Sequence, residues 1–472
     1  MKHLADLYQE EQELLKQYDQ RLLLAQKPAT SQELLKKVGI DVDFGFLPKG
    51  YINFYNEDFI VEEIDKQGKL KTIEPESSVI PAQPGSSQPV LYADLVKTGT
   101  STLEAAETLA KKLGVAMNKI NYAGIKDKLA ITAQQVSIEG ADLTEVAKLQ
   151  IPGMFLKNFS WHEVNSYKGG LRGNRFTIVI RTPSVLGQGW LETSLKKIKQ
   201  QGFYNFYYLQ RFGAPRLVSH NLGRLLLQQN YQGAVEMFLG DSGSQDVGLL
   251  NNLRQQAKEN FGNWAKVAEI FSALPYTFRL ELEVARYLEK SPQDYFGALK
   301  LMHDQLAIWV YSYASYLFNL HLSKLINEQK TIPHRLPLLF NPKYNKISTY
   351  VEHLEKDGIG NLEESLEKLF AGEKVRPQMR TQNTYATTAP AKILKSKIVD
   401  KAVVLAFELG IGVYATTFLS HLFDLDRGLP VPDWVAGDKL DAKKILGLGS
   451  VELATKVLGE TNREQKIDNY FF

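Results

Sequence analysis

Cysteine is missing from all 472 residues of the sequence. That excludes disulfides, a thiolate nucleophile and Cys-ligated zinc or iron–sulfur clusters, and it fits a cytosolic compartment. Long apolar runs are missing too: the greasiest stretch, 402–407, is far shorter than the ~20 apolar residues that span a bilayer. The start, Met1-Lys2-His3-Leu4-Ala5-Asp6, has no apolar signal core, so the sequence predicts a cytoplasmic protein with no targeting segment and no membrane span. Nor is there an excess of one charge. Lys+Arg of 56 against Asp+Glu of 53 leaves +3, which excludes a histone-like polycation but allows a basic stripe on one face. The eight histidines show no ligand spacing, so metal catalysis is not expected.

What is present is globular. Hydrophobic residues at 44%, charged residues at 23% and aromatics at 11% suit a folded chain, and its length suggests about three units at ~150 residues each. Leu4, Leu7, Leu14, Leu15, Tyr18 and Leu22 fall at helical spacing, and Thr30 with Glu33 reads as a capping box for a second helix. Near Phe59 and Val61 the period changes to that of a strand, with Glu62 on the other parity. A loop follows over 74–89, rich in proline and serine.

Ser101 and Glu104 form another capping box. Leu103, Ala106, Ala110 and Leu113 mark a buried stripe and Gly114 a C-terminal cap, so the spacing predicts a helix over 102–113. Strands are expected at 119–123 and 131–138, joined by a turn that carries Asp127 at its tip. On the next strand Asn174, Phe176, Ile178 and Ile180 share one face, while Arg175, Thr177 and Arg181 share the other. Further on come a long amphipathic helix at 303–326, a strand at 403–409, and a helix with Ala415, Leu419, Leu422 and Phe423 after Gly410 and Gly412.

Several familiar devices fail. Gly68-Lys69 has Glu63 where a P-loop needs its first glycine, and Gly240-Asp241-Ser242-Gly243-Ser244 lacks the last glycine of a nucleophile elbow. One Asp241-Ser242-Gly243 copy is half of an aspartic-protease site and reads as a turn. There remains Asn121-Tyr122-Ala123-Gly124-Ile125-Lys126-Asp127-Lys128-Leu129. A carboxylate between two lysines has its ionised form favoured, which suits a nucleophile or base. On spacing alone the plainer reading, a solvated charged turn, is preferred.

This stretch resembles the signature of the TruD family of tRNA pseudouridine synthases. The resemblance continues through Glu57-Asp58-Phe59-Ile60-Val61-Glu62-Glu63, Gly173-Asn174-Arg175-Phe176, Asn205-Phe206 with Gln210-Arg211-Phe212-Gly213, Ser315-Tyr316-Leu317-Phe318-Asn319, and Gly412-Val413-Tyr414-Ala415-Thr416. Six motifs keep one order. The resemblance implies an α+β fold: a mixed-sheet pseudouridine synthase domain at 47–213 and 386–472, with extra tail from about 424, interrupted by an α/β insertion at 214–385 and preceded by a helical extension at 1–46.

It also implies cofactor-independent isomerisation of uridine to pseudouridine, at position 13 of tRNA, by a monomer. Other structured RNA remains a further partner class. Asp127 becomes the catalytic residue, Phe59, Asn174 and Tyr414 substrate contacts, and Phe176 the ring packed on the target base. From the residues themselves, Phe59 reads equally as core, and Phe176 reads better as a continuation of the Ile178 and Ile180 core stripe. Tyr414 precedes a helix start, where backbone N–H groups meet anions, or else caps the core. Lys126 and Lys128 neighbour the carboxylate, and Lys168, Arg172, Arg175, Arg181, Lys196, Lys197 and Lys199 form the densest basic stretch, an RNA contact or a solvated face.

One departure stands out. The family has a lysine six residues before the phenylalanine and a proline three before it, where this chain has Asn53 and Asn56. A lysine restored at 53 is expected to keep or raise the rate. Asn53 motivates the alternative of an RNA-binding protein or chaperone with weak or lost catalysis. A carboxylate glycosidase would need a second placed carboxylate that no motif supplies.

Overall fold

The computed structural model describes residues 4–18, 22, 31–76, 80–82, 90–243, 246–340, 349–371, 384–428 and 431–459. Thr30 of the expected capping box, Ser244 and most of the Pro-rich loop lie outside these residues. Backbone contacts divide the chain into two compact units, 46–203 with 389–470, and 1–45 with 204–388 and 471–472.

The first unit is a ten-stranded mixed sheet. Its strands are β1 (Lys49–Ile52), β2 (Phe59–Asp65), β3 (Val90–Thr98), β4 (Ile120–Tyr122), β5 (Ile131–Glu139), β6 (Met154–His162), β7 (Leu171–Arg181), β8 (Lys392–Val399), β9 (Ala402–Gly410) and β10 (Asp424–Arg427). They run β8-β9-β7-β2-β5-β3-β6, with β4 on β5 and with β1 joining β10 to β7. The β2/β5 pair is parallel and its neighbours are antiparallel, so the expected α+β mixed-sheet fold is present.

Register decides what shares a face. Phe176 lies opposite Val61 and Phe407, Asn174 opposite Glu63 and Leu409, and Lys97 opposite Thr132, which neighbours Val61. All of these side chains therefore stand on one side of the sheet. Two helical layers cover that side. Helix α1 (Thr102–Leu113) packs on Leu91, Ala93 and Leu95, while α2 (Gln188–Gln201) and α3 (Ala415–Leu419) pack around Phe176, Ile178 and Phe407. The other side, with Ile60, Val179 and Val404, is closed by α4 (Ala442–Leu446) and α5 (Val451–Leu458).

Helix α1 begins and ends where its caps dictate. Ser101 Oγ accepts from Glu104 N at 3.2 Å, Glu104 Oε2 accepts from Ser101 N at 2.7 Å, and Gly114 closes the helix at φ 65°. Its buried stripe is rotated from the expected one: Ala105, Ala106, Leu109 and Ala110 are inside while Leu103 is half exposed. The cause is Thr102, whose hydroxyl is held between Gln134 and the backbone of Lys126 and so turns that edge inward.

In the second unit the helix His303–Asn327 is buried on most of its circumference, from Leu306, Trp309 and Val310 to Leu322, so its apolar positions do not form the single stripe expected of an amphipathic helix. Two of the sequence motifs meet here. Asn319 accepts from Tyr207 N and donates to the carbonyls of Tyr207 and Val38, and Arg211 donates to Ser315 Oγ at 3.1 Å. The segment 1–45 is bonded into this unit, since the buried carboxylate of Glu11 accepts from Tyr276 N and Thr277 N. Among the described residues no helix is long and apolar enough to cross a membrane.

Candidate active site

The turn between β4 and β5 is held by backbone bonds along its length. Gly124 O accepts from Gln134 Nε2 at 3.1 Å, Lys126 N donates to Thr102 Oγ1 at 2.9 Å, and Ala123 O accepts from Gly169 N at 2.8 Å. Asp127 O accepts from Lys97 Nζ at 3.0 Å, Lys128 O from Gly99 N at 3.1 Å, and Leu129 O from the Asn53 side-chain amide. A loop fixed at so many points loses little further entropy on binding. From it the Asp127 side chain projects into solvent, and its carboxylate has no hydrogen bond or ion pair among the described residues.

The two flanking lysines turn elsewhere. Lys126 reaches a buried ion pair with Glu63 at 2.6 Å, and Lys128 pairs with Glu104 of α1 at 3.4 Å. Both lysines therefore anchor the loop to its surroundings, and neither ammonium is paired with Asp127. The cation beneath the loop is Lys97, which the sequence reading missed. It is fully buried and donates to the carbonyls of Thr100 and Asp127. Burial pushes its ammonium down to about 8 against the pull of the Asp127 and Glu104 charges. A signal for it was available: Leu91, Ala93 and Leu95 mark one apolar face of β3, and Lys97 continues that face.

Phe59 and Phe176 meet edge to face at 6.2 Å between ring centroids, and Phe176 stacks on Phe407 at 5.4 Å. Both rings lie in the apolar cluster beneath α2 and α3, with 5% and 6% of their surface exposed, so each is first a core residue. Asn174, two residues along β7 on the same face, leaves its Oδ1 buried with no protein partner among the described residues, and so does Thr132 Oγ1 on β5. Tyr414 is half-buried and extended just before α3. That helix has only five residues, too few to gather an anion-binding N-terminus of the kind expected.

Asn53 has a structural reason to be asparagine. Its φ is 61°, in the left-handed region that asparagine tolerates better than a long side chain, and its amide closes the Asp127 loop at Leu129. Asn56 donates to Thr98 Oγ1 at 3.4 Å. The basic stretch divides. Lys168, Arg172, Lys196, Lys197 and Lys199 are exposed, but Arg181 is buried on both oxygens of Asp58 and the carbonyls of Ala436 and Asp438, and Arg175 is paired with Glu408. Arg181 is thus a structural tie, because Asp58 and the 436–438 loop enclose it, and it is unavailable to phosphate.

Comparison with known proteins points one way. The family described as tRNA pseudouridine synthase D (TruD) matches residues 48–337. A Methanocaldococcus jannaschii protein named "Probable tRNA pseudouridine synthase D 1" is 30% identical over 273 residues, 57% of this chain and 67% of that one. The tRNA pseudouridine synthase D of a Geobacter species is 30% identical over 279 residues, 59% of this chain and 65% of the relative. The mouse protein named "Pseudouridylate synthase 7 homolog" is 29% identical over 243 residues, 50% and 35% of the two chains. The match thus spans about two thirds of the first two relatives and about a third of the mouse protein. The crystal structure of a TruD protein from Methanosarcina mazei superposes with a TM-score of 0.57 at 23% identity, over 85% of this chain and 99% of that one, which shows a shared fold.

Proposed function

The chain belongs to the TruD family of tRNA pseudouridine synthases, and from that premise we propose that it isomerises uridine to pseudouridine at position 13 of tRNA, with Asp127 as the catalytic carboxylate. The observation that carries the reading is a solvent-facing carboxylate with no partner among the described residues, on a loop pinned at six backbone groups. In the reaction the C1′–N1 bond breaks, the base turns, and C1′–C5 forms; N1 takes up a proton and C5 releases one. Atoms and electrons balance within the nucleotide, so the exchange itself calls for no redox carrier. The protein's part is a charged group at the reacting face and a rigid frame.

The target base leaves its stack at a cost of a few kcal/mol. Phe176, with Phe59 against its edge, is the proposed aromatic floor, and stacking of a base on such a ring contributes ~1–3 kcal/mol. Asn174 is the proposed reader of the uracil edge or backbone, because its buried oxygen has an open bonding position. Tyr414 is the fourth proposed contact. Lys168, Arg172, Lys196, Lys197 and Lys199 are the proposed phosphate contacts, without Arg181.

Mapping pseudouridine in tRNA incubated with the purified protein tests this. Product at position 13 is the expected result. A protein that binds a panel of tRNAs yet converts none would be an RNA-binding protein on this fold.

A further inference from the structure

Protein interiors accept an ammonium most readily when a carboxylate sits beside it. Three buried lysines around β2 follow that rule: Lys126 with Glu63, Lys71 with Asp65 and Asp94, and Lys443 with Glu62 and Glu74. Lys97 does not. Its side chain is wholly enclosed, its two hydrogen bonds go to the carbonyls of Thr100 and Asp127 at 2.8 and 3.0 Å, and among the described residues it forms no ion pair.

We propose that Lys97 is a positioning residue for Asp127, tethering the main chain of the catalytic residue and holding a positive charge beneath the loop from which the carboxylate projects. The inference rests on the role given to Asp127 above. Two features support it. The ammonium bridges the segments on either side of the carboxylate, the β3–α1 connection at Thr100 and the loop at Asp127. A purely structural tether would not need the charge, since a neutral amine still offers two N–H donors for two carbonyls.

Tether and charge can therefore be separated by pH. The charged groups acting on Lys97 are Asp127 and Glu104, which favour its ionised form, and Lys126 and Lys128, which oppose it. Its register neighbours Thr132 on β5 and Met154 on β6 are uncharged. With burial the largest influence, the proton leaves at about 8, against an ordinary 10.5. Between those values the unfolded chain holds more protons than the folded one, so this group's contribution to stability rises with pH. Slowing across that range therefore does not come from this group's linkage to folding, and thermal unfolding at each pH reads the rest of the protein.

The experiment is single-turnover conversion of a tRNA transcript by saturating enzyme from about pH 6 to 9.5, using wild type, Lys97→Arg and Lys97→Met, with thermal unfolding and tRNA affinity recorded alongside. Wild type is expected to slow with a midpoint near pH 8 while staying folded. Lys97→Arg, charged throughout, should lose that alkaline limb. Lys97→Met should be at least ~10-fold slower at neutral pH, with tRNA affinity within about twofold and no limb. A wild-type rate flat across pH 8 overturns the proposal without any variant. So does a limb unchanged in either folded variant. Retained turnover in Asp127→Asn is a separate result, which sinks the role of Asp127 itself.

Discussion

Glu62 and Glu63 are neighbours on β2 and point to opposite faces of the sheet. Glu62 faces the side closed by α4 and α5, where Lys443 bonds it and Glu74 together across 381 and 369 positions of sequence. Burial raises the Glu62 carboxyl above its ordinary range, with Lys443 pulling the other way. Glu63 faces the other side and takes Lys126 from the loop. Both are buried ion pairs, but only the second ends in an exposed carboxylate one residue on. Unsatisfied polar atoms do not separate the faces, because among the described residues Glu62 Oε2 and Thr177 Oγ1 lack partners on the closed side as Asn174 Oδ1 and Thr132 Oγ1 do on the other. What distinguishes the proposed site is a charge kept in solvent on a backbone that is locked. The same chemistry thus serves cohesion on one face and presentation on the other.

The largest break in that comparison is Asp127→Asn. Turnover should fall by at least ~10,000-fold, about 5.5 kcal/mol of barrier, with tRNA affinity within about tenfold and an unchanged melting temperature. Product formed at more than a hundredth of the wild-type rate would rule out the assignment.

The two lysine pairs come next. Glu63→Gln and Lys443→Met each leave a buried charge without its partner, so both should destabilise the protein by ~3–5 kcal/mol in denaturant titrations. Per folded molecule, Lys443→Met should keep its single-turnover rate whereas Glu63→Gln should slow, because Glu63, and not Lys443, is tied to the Asp127 loop. Equal rates in the two variants would erase the distinction between the faces.

A smaller effect is expected at Asn53. Lysine there forfeits the bond to Leu129 and places a long side chain at φ 61°, a loss of ~1–2 kcal/mol. The structure thus reverses the expectation from family pattern: Asn53→Lys should slow turnover. A faster, equally stable variant would show that charge outweighs geometry at this position.

The smallest change is Tyr414→Phe. The hydroxyl has no hydrogen bond among the described residues, so stability should stay within ~0.5 kcal/mol, while loss of a substrate bond should weaken tRNA capture by ~0.5–1.5 kcal/mol in binding assays. Unchanged affinity and rate would remove Tyr414 from the proposed contacts.

Local chemistry is what could be read without coordinates. The limits of α1 follow from Ser101, Glu104 and Gly114, because a cap is satisfied within three or four residues. The alternation that set Phe59, Asn174 and Phe176 on strands needs only the pleat, and the tip position of Asp127 needs only two strands and a turn. The partners of the charges were decided elsewhere. Lys126 meets Glu63 from 63 positions away, and Arg181 is taken out of the basic surface by Asp58 from 123. Whether Lys97 faces solvent or lies under the Asp127 loop depends on β3 being enclosed between β5 and β6 and covered by α1. An ion pair or a buried cation is a bargain between distant segments, and its terms exist only once the chain has folded.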